Sequence, residues 1–196
     1  PLDSSAASDV YKRQMYGLVD KAVEALVTSG LGEETGEVVK VKAGVEEEVF
    51  LSNQSYPDEA TFNLVAAATE VPELPISEIL ISFGEHWFLK TAEESYGPMM
   101  VAAGASLREF LVSLPHLHTR VSMIYPDLKP TGFECRDVAE NSLKLRYHTH
   151  RSGLTNCVVG LVQGLGKYDD TFAVCELEDT KDENCLLYTS PSPRDV

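Results

Sequence analysis

Residues 106–126 read SLREFLVSLPHLHTRVSMIYP, and both fold and function turn on how this stretch is placed. Ser106 is a residue type that opens helices. Tyr125-Pro126 closes the stretch, because the residue before a proline is pushed out of helical geometry. Between them Leu107, Phe110, Leu111, Leu114, Leu117, Val121 and Ile124 recur at helical spacing. The spacing predicts one amphipathic helix over 106–124 with its apolar stripe turned to the core. His118 falls four residues after Leu114 and three before Val121, so it shares that stripe. A neutral imidazole on a buried face needs a partner at each ring nitrogen. A backbone hydrogen bond at one and a metal at the other meets that need. A fully hydrogen-bonded core histidine meets it too, and the spacing leaves both open. His116 lies two residues away and faces elsewhere, so the two do not make an i, i+4 zinc pair. Pro115 removes a backbone N–H one turn before His118 and kinks the helix there.

Downstream, residues 147–151 read YHTHR in a segment that alternates like a strand. A period of two puts Tyr147, Thr149 and Arg151 on one face and His148 and His150 on the other. The first face offers a phenol, a hydroxyl and a guanidinium, all hydrogen-bond donors, and arginine grips a carboxylate with two of its N–H groups. Such a face suits a ligand bearing one or two carboxylates. A solvated edge strand is the alternative. The opposite pair of histidines makes a weak two-ligand metal site at best.

Working outward from these two stretches, Met15–Ser29 has helical spacing and Gly30 and Gly32 end it. Residues 33–43 form a second short helix. Asp58 is placed to cap a helix over 59–71, and Ser77 to cap one running to Leu89. Ser95-Tyr96-Gly97-Pro98 is expected to be a break. After Pro130 the character changes: residues 131–138 and 142–151 alternate as strands, 154–165 are helical with Gly164 and Gly166 at the end, and 171–177 form a further strand. Helices succeeded by strand–strand–helix–strand make an α+β fold with an antiparallel sheet, not a series of βαβ units.

The chain has 196 residues, 43% of them hydrophobic and 24% charged, a globular composition able to bury its own core. Sixteen basic against 31 acidic residues give a formal charge of −15, which argues against nucleic-acid or anionic-membrane partners. No apolar run reaches the length of a membrane-spanning helix, and the first residues are polar with no apolar leader. Four cysteines without a C-x-x-C pair indicate neither a zinc ribbon nor a disulfide framework. A reducing, cytoplasmic setting is expected. The two ends stand apart. Residues 4–14, SSAASDVYKRQ, and 185–195, CLLYTSPSPRD, look like in-frame translations of the adapters used in short-read sequencing libraries. The domain is therefore expected to run from Met15 to Asn184, with 1–14 and 185–196 foreign to it and the gene free to continue further.

Taken together, these residues resemble the H-NOX family of haem domains that bind nitric oxide or oxygen, in particular the beta subunit of soluble guanylate cyclase and its bacterial relatives. The resemblance runs from Met15-Tyr16-Gly17-Leu18-Val19 to about Lys167. It takes in Leu64-Val65-Ala66-Ala67-Ala68, Phe83-Gly84, Phe110-Leu111, Leu117-His118, Tyr125-Pro126 and Phe133. Tyr147-x-Thr149-x-Arg151 falls where the family has Y-x-S-x-R, and threonine keeps the hydroxyl. The resemblance implies ferrous haem b as cofactor, with His118 as the proximal iron ligand and Tyr147, Thr149 and Arg151 holding the propionates. Pro130 and Thr131 would lie on the proximal haem face; the family often carries proline where Thr131 stands. Gly36 replaces a common aromatic.

By the same resemblance the distal pocket comprises Val19, Trp87, Thr91, Cys157 and Leu161. Oxygen-binding members place a tyrosine where Cys157 stands, and a thiol is a weak donor. Asn156 is the neighbouring candidate, but Leu154, Cys157, Val158 and Leu161 share one helical face and Asn156 lies off it. The expectation is a nitric oxide sensor, also able to take carbon monoxide, that excludes oxygen. It is a regulatory domain rather than an enzyme: gas binding weakens the bond to His118, the helix relaxes, and a partner reads the change. In relatives that partner is a histidine kinase, a cyclic-di-GMP enzyme, a fused cyclase or a chemoreceptor. Three rivals stand beside it: an oxygen-binding member, a haem-free redox or protein-interaction module using Cys157 or Cys175, and a metal hydrolase. The last lacks H-E-x-x-H, G-x-S-x-G and a phosphate loop.

Overall fold

The structure is a computed structural model that describes residues 14–46, 48–124, 131–139, 142–148, 153–178 and 185–192. It divides into two units, Pro1–Phe83 and Gly84–Val196.

In the first unit, β1 (Gln14–Tyr16) pairs antiparallel with β2 (Ser55–Pro57), Met15 opposite Tyr56. Helix α1 (Gly17–Leu31) ends at Gly32, whose φ of 90° only glycine adopts freely and whose N–H closes on Thr28 O. Helix α2 (Glu33–Lys42) carries Glu33 and Glu34 in its first turn and Lys40 and Lys42 in its last, matching the helix dipole at both ends. Helix α3 (Asp58–Glu70) comes directly after β2. The core holds Val23, Val27, Val39, Phe50, Leu64, Ala68 and Ile79. Tyr56 meets Phe50 edge-on at 4.9 Å between centroids, and its hydroxyl accepts from Leu51 N–H at 3.0 Å. On the buried face of α1, Asp20 accepts a hydrogen bond from Thr61 Oγ1 at 2.5 Å.

Helix α4 (Ile76–His86) leads into a π-helical turn, Trp87–Ala92, and then α5 (Glu93–Ala103). The second unit continues with α6 (Leu107–Ile124), strands β3 (Gly132–Arg136) and β4 (Leu143–His148), helix α7 (Thr155–Tyr168), β5 (Phe172–Glu178) and β6 (Cys185–Ser192). The sheet is antiparallel throughout, in the order β3-β4-β6-β5. The fold is α+β, as the order of elements in the sequence indicates. Helix α7 buries Val158, Val159, Val162 and Leu165 and packs on β5 and on the π turn. Phe88, from that turn, sits edge-on to Phe110 at 5.5 Å and to Tyr168 at 5.9 Å. No helix among the described residues is long and apolar enough to cross a membrane.

Several local expectations are corrected. Asp58 is not the cap of α3 but its first residue; Pro57 holds the cap position, without a side-chain bond. Ser77 lies inside α4, which Pro75 starts by accepting from Glu78 N–H through its carbonyl at 3.0 Å. Ser95-Tyr96-Gly97-Pro98 is no break but the middle of α5, where the exposed Pro98 removes one helical N–H without ending the helix. Gly164 and Gly166 lie within α7 rather than at its end. Strand β4 is interior to the sheet, between β3 and β6, so the edge-strand alternative for Tyr147 falls. The backbone of Cys185–Ser192, a stretch expected from the sequence to be foreign to the domain, fills the place between β4 and β5. Ladder pairing needs only backbone N–H and C=O groups, so any extended segment can take that place.

Candidate functional site

Helix α6 begins as its sequence dictates: Ser106 Oγ accepts from Glu109 N–H at 3.3 Å. Its stripe is unevenly covered. Leu107, Phe110 and Leu111 are buried, whereas Leu114, Leu117, His118 and Val121 are only half-buried. The apolar face therefore opens out around the histidine.

His118 Nδ1 lies 2.8 Å from the backbone oxygen of Thr131. A carbonyl can only accept, so Nδ1 carries the proton and the lone pair of the neutral ring is on Nε2. Burial pulls the His118 pKa below the ordinary 6.5, against the opposing pull of the Thr131 bond, and so favours that neutral ring. The imidazole stands 5.3 Å from the Phe133 ring, and Phe133 stands 5.4 Å from Tyr147. Phe133 and Tyr147 are register partners across β3 and β4, and Tyr147 is buried on the same face as Leu143 and Leu145. Imidazole, phenyl and phenol thus form one continuous aromatic wall. His116 is exposed, away from it.

Of the other residues singled out by sequence, Thr149, Arg151, Pro130 and His150 lie outside the described residues. His148 is half-buried on the opposite face of β4 from Tyr147, with Nε2 3.9 Å from Glu134 Oε2. Trp87 and Thr91 are half-buried on the π turn, a helix irregularity that often marks functional sites. Leu161 and Asn156 are half-buried on α7. Val19 is half-buried on α1 in the first unit. Sequence reasoning gives the Phe133 ring no role in the site, because its pairing with Tyr147 depends on the register between two strands.

All three described free cysteines are half-buried, and desolvation disfavours the thiolate at each. Burial pushes the Cys157 thiol up to about 12 and the Cys175 thiol to about 11; Cys135 is raised by burial and by Glu134 beside it. At pH 8 a thiol with a pKa near 12 is ionised on the order of a thousandfold less than one near 9. Iodoacetamide under native conditions should leave Cys157 and Cys175 unlabelled, and both should label in urea. Native labelling of either, located by peptide mass spectrometry, would revive a thiol-based role.

Among the described residues no group of three or more His, Cys, Asp or Glu side chains is placed to hold a metal ion. One imidazole on an open apolar face, with no partner for Nε2 among the described residues, would suit a metal whose other ligands arrive with it in a flat macrocycle. The sequence profile of a family described as "Haem-NO-binding" matches residues 16–174. The chain belongs to that family. It is a haem-binding gas-sensor domain of the H-NOX type. It is 25% identical over 166 residues to "Soluble guanylate cyclase gcy-31" of Caenorhabditis elegans, with 84% of this chain and 24% of that protein covered. It is 28% identical over 106 residues to "Guanylate cyclase soluble subunit beta-2" of Rattus norvegicus, covering 54% and 16%. The chain thus spans about a quarter or less of the length of these cyclases. Its fold matches an H-NOX protein from S. oneidensis in the Fe(II)NO ligation state with a TM-score of 0.82 at 18% identity, covering 91% of this chain and all of that one. An unliganded Fe(II) H-NOX protein from K. algicida gives 0.81 at 23% identity, covering 92% and 98%. The donor set fits the family's cofactor: a neutral imidazole whose Nε2 lone pair meets no partner among the described residues, beside aromatic rings that a porphyrin face can stack on.

Proposed function

We propose that this H-NOX domain senses nitric oxide and discriminates against oxygen. In this reading its domain occupies Met15–Asn184, and His118 Nε2 is the single protein ligand to the iron of ferrous haem b. Thr131 orients the ring from behind through its carbonyl, and Pro130 and Thr131 border the proximal face. Tyr147, Thr149 and Arg151 donate to the propionates. Trp87, Thr91, Cys157 and Leu161 line the distal side. Haem supplies an open coordination position for a diatomic gas.

The observation that carries the selectivity is Cys157. Bound oxygen is strongly polarised and gains most from a hydrogen-bond donor above it. A protonated thiol is a weak donor, and burial keeps this one protonated. Without a phenol at that position oxygen gains little, while nitric oxide needs no such donor. The test is direct: the ferrous haem protein, opened to air, should show no stable oxy spectrum, and nitric oxide added without air should bind. A persistent oxy form overturns the proposal.

Signalling then depends on what holds α6. If the bond at Nε2 were released, His118 would still be tied at Nδ1 to Thr131 O, so the ring and the turn of α6 that carries it would move against the approach to β3. The altered surface is what an output partner reads. The matches to guanylate cyclases favour a cyclase as that output over a histidine kinase, a cyclic-di-GMP enzyme or a chemoreceptor.

A further inference from the structure

Pro115 sits between Leu111 and His118 on α6 and has no N–H. The helical hydrogen bond that residue 115 would give to Leu111 O therefore cannot form. Leu111 is buried, so its carbonyl has little access to water. In the structure the thiol of Cys135, on β3, donates to Leu111 O at 3.2 Å. The side chain of a neighbouring strand thus takes up an acceptor that the proline has stranded.

The placement of this bond matters more than its strength. Leu111 and His118 are seven residues apart, hence on one face and about 10 Å apart along the helix axis. Thr131 and Cys135 are four residues apart along the strand and its approach, about 13 Å. The two spans run side by side. One end is closed by His118 Nδ1 on Thr131 O, the other by Cys135 Sγ on Leu111 O. Pro115, where the missing hydrogen bond weakens the helix, lies between the two ties. Beyond it Thr119 Oγ1 donates to Pro115 O at 3.0 Å and Ser122 Oγ to His118 O at 2.9 Å, back-bonds that bend a helix further. A helix weakened at that point keeps its angle only if both sides are held.

We propose that Cys135 is a positioning residue for the proximal imidazole: by donating to the carbonyl freed by Pro115, it fixes the angle at which the His118 half of α6 runs on from the proline. The inference rests on His118 being the iron ligand. It concerns hydrogen bonding, not thiol chemistry.

The test uses the ferrous haem protein with Cys135→Ala, Cys135→Val and Cys135→Ser. Valine fills the thiol's space but donates nothing, and serine restores a donor. Two quantities are measured: amide hydrogen exchange across 116–122, and the iron–imidazole stretching band by resonance Raman. Alanine and valine should speed exchange about three- to fivefold, as expected for losing one weak bond at a local opening. Both should shift or broaden the band, and serine should move both readouts back. Exchange in the valine variant equal to that of the unaltered protein overturns the inference and leaves the His118 reading standing. Faster exchange with an unmoved band also overturns it, since Cys135 then stabilises without positioning. An unaltered protein with no iron–imidazole band removes the His118 reading, and this inference with it.

Discussion

His118→Ala should release the haem. Removing a group that merely orients a metal ligand costs about 10- to 100-fold in affinity, so removing the one protein ligand should cost more. The variant should emerge from gel filtration without a Soret band, while the unaltered protein keeps its own. Millimolar imidazole during reconstitution should restore the band, because the small molecule fills the space left by the ring and offers the same nitrogen. Rescue also separates ligand loss from misfolding, as a collapsed protein has no site to rescue. His116→Ala is the matched control: exposed on another face of the same helix, it should retain haem normally. If His118→Ala holds haem with an unaltered spectrum and no imidazole, the ligand lies elsewhere and the proposed switch goes with it.

The reasons this site is readable in the sequence, and where it is not, are physical. His118 announces itself because a polar residue in a seven-member apolar stripe has to be explained. The tie that sets its tautomer leaves no such trace. Thr131 acts through its backbone oxygen, which every residue possesses, and its nearness depends on how the segment after α6 returns to the sheet. Tyr147 is legible through period-two alternation. Its partner Phe133 is not, because register between strands is set by long-range packing rather than by either strand alone. Local rules fail in two places. Gly97-Pro98 punctuates the sequence like a turn, yet lies inside α5, where Pro98 removes one helical N–H without ending the helix. The stretch after His86 continues the helical pattern smoothly, and nothing in its composition marks the π turn that carries Trp87 and Thr91. Thr149 and Arg151 remain expectations from the family pattern.

The second large effect lies away from the iron. Gly84, in α4, faces α7 so closely that an added Cβ would sit 2.2 Å from the Cys157 carbonyl oxygen and 2.6 Å from Leu161 N. Both are backbone atoms of a buried helix and neither can swing aside, unlike the end of a flexible side chain. One turn on, Gly164 makes the reciprocal approach, its Cβ position 3.1 Å from Glu85 Cα and from Phe88 Cβ. Small residues on both helices let the backbones meet, with Lys167 and Glu85 closing the contact by an ion pair at 2.6 Å. Gly84→Ala should therefore force the helices apart at Cys157–Leu161, the stretch proposed to line the distal pocket. The cost should be about 3 kcal/mol, at the upper end of what overpacking exacts, and the melting temperature should fall by roughly 6–12 °C for a domain of this size. Gly30→Ala provides the opposite sign. It too replaces a helical glycine, near the end of α1, but its Cβ would meet nothing within 4 Å, so helix propensity acts alone and stability should rise by about 0.5 kcal/mol. A thermal melt of the two variants distinguishes close approach from propensity. If Gly84→Ala melts with or above the unaltered protein, the packing of α4 on α7 is looser than these distances require.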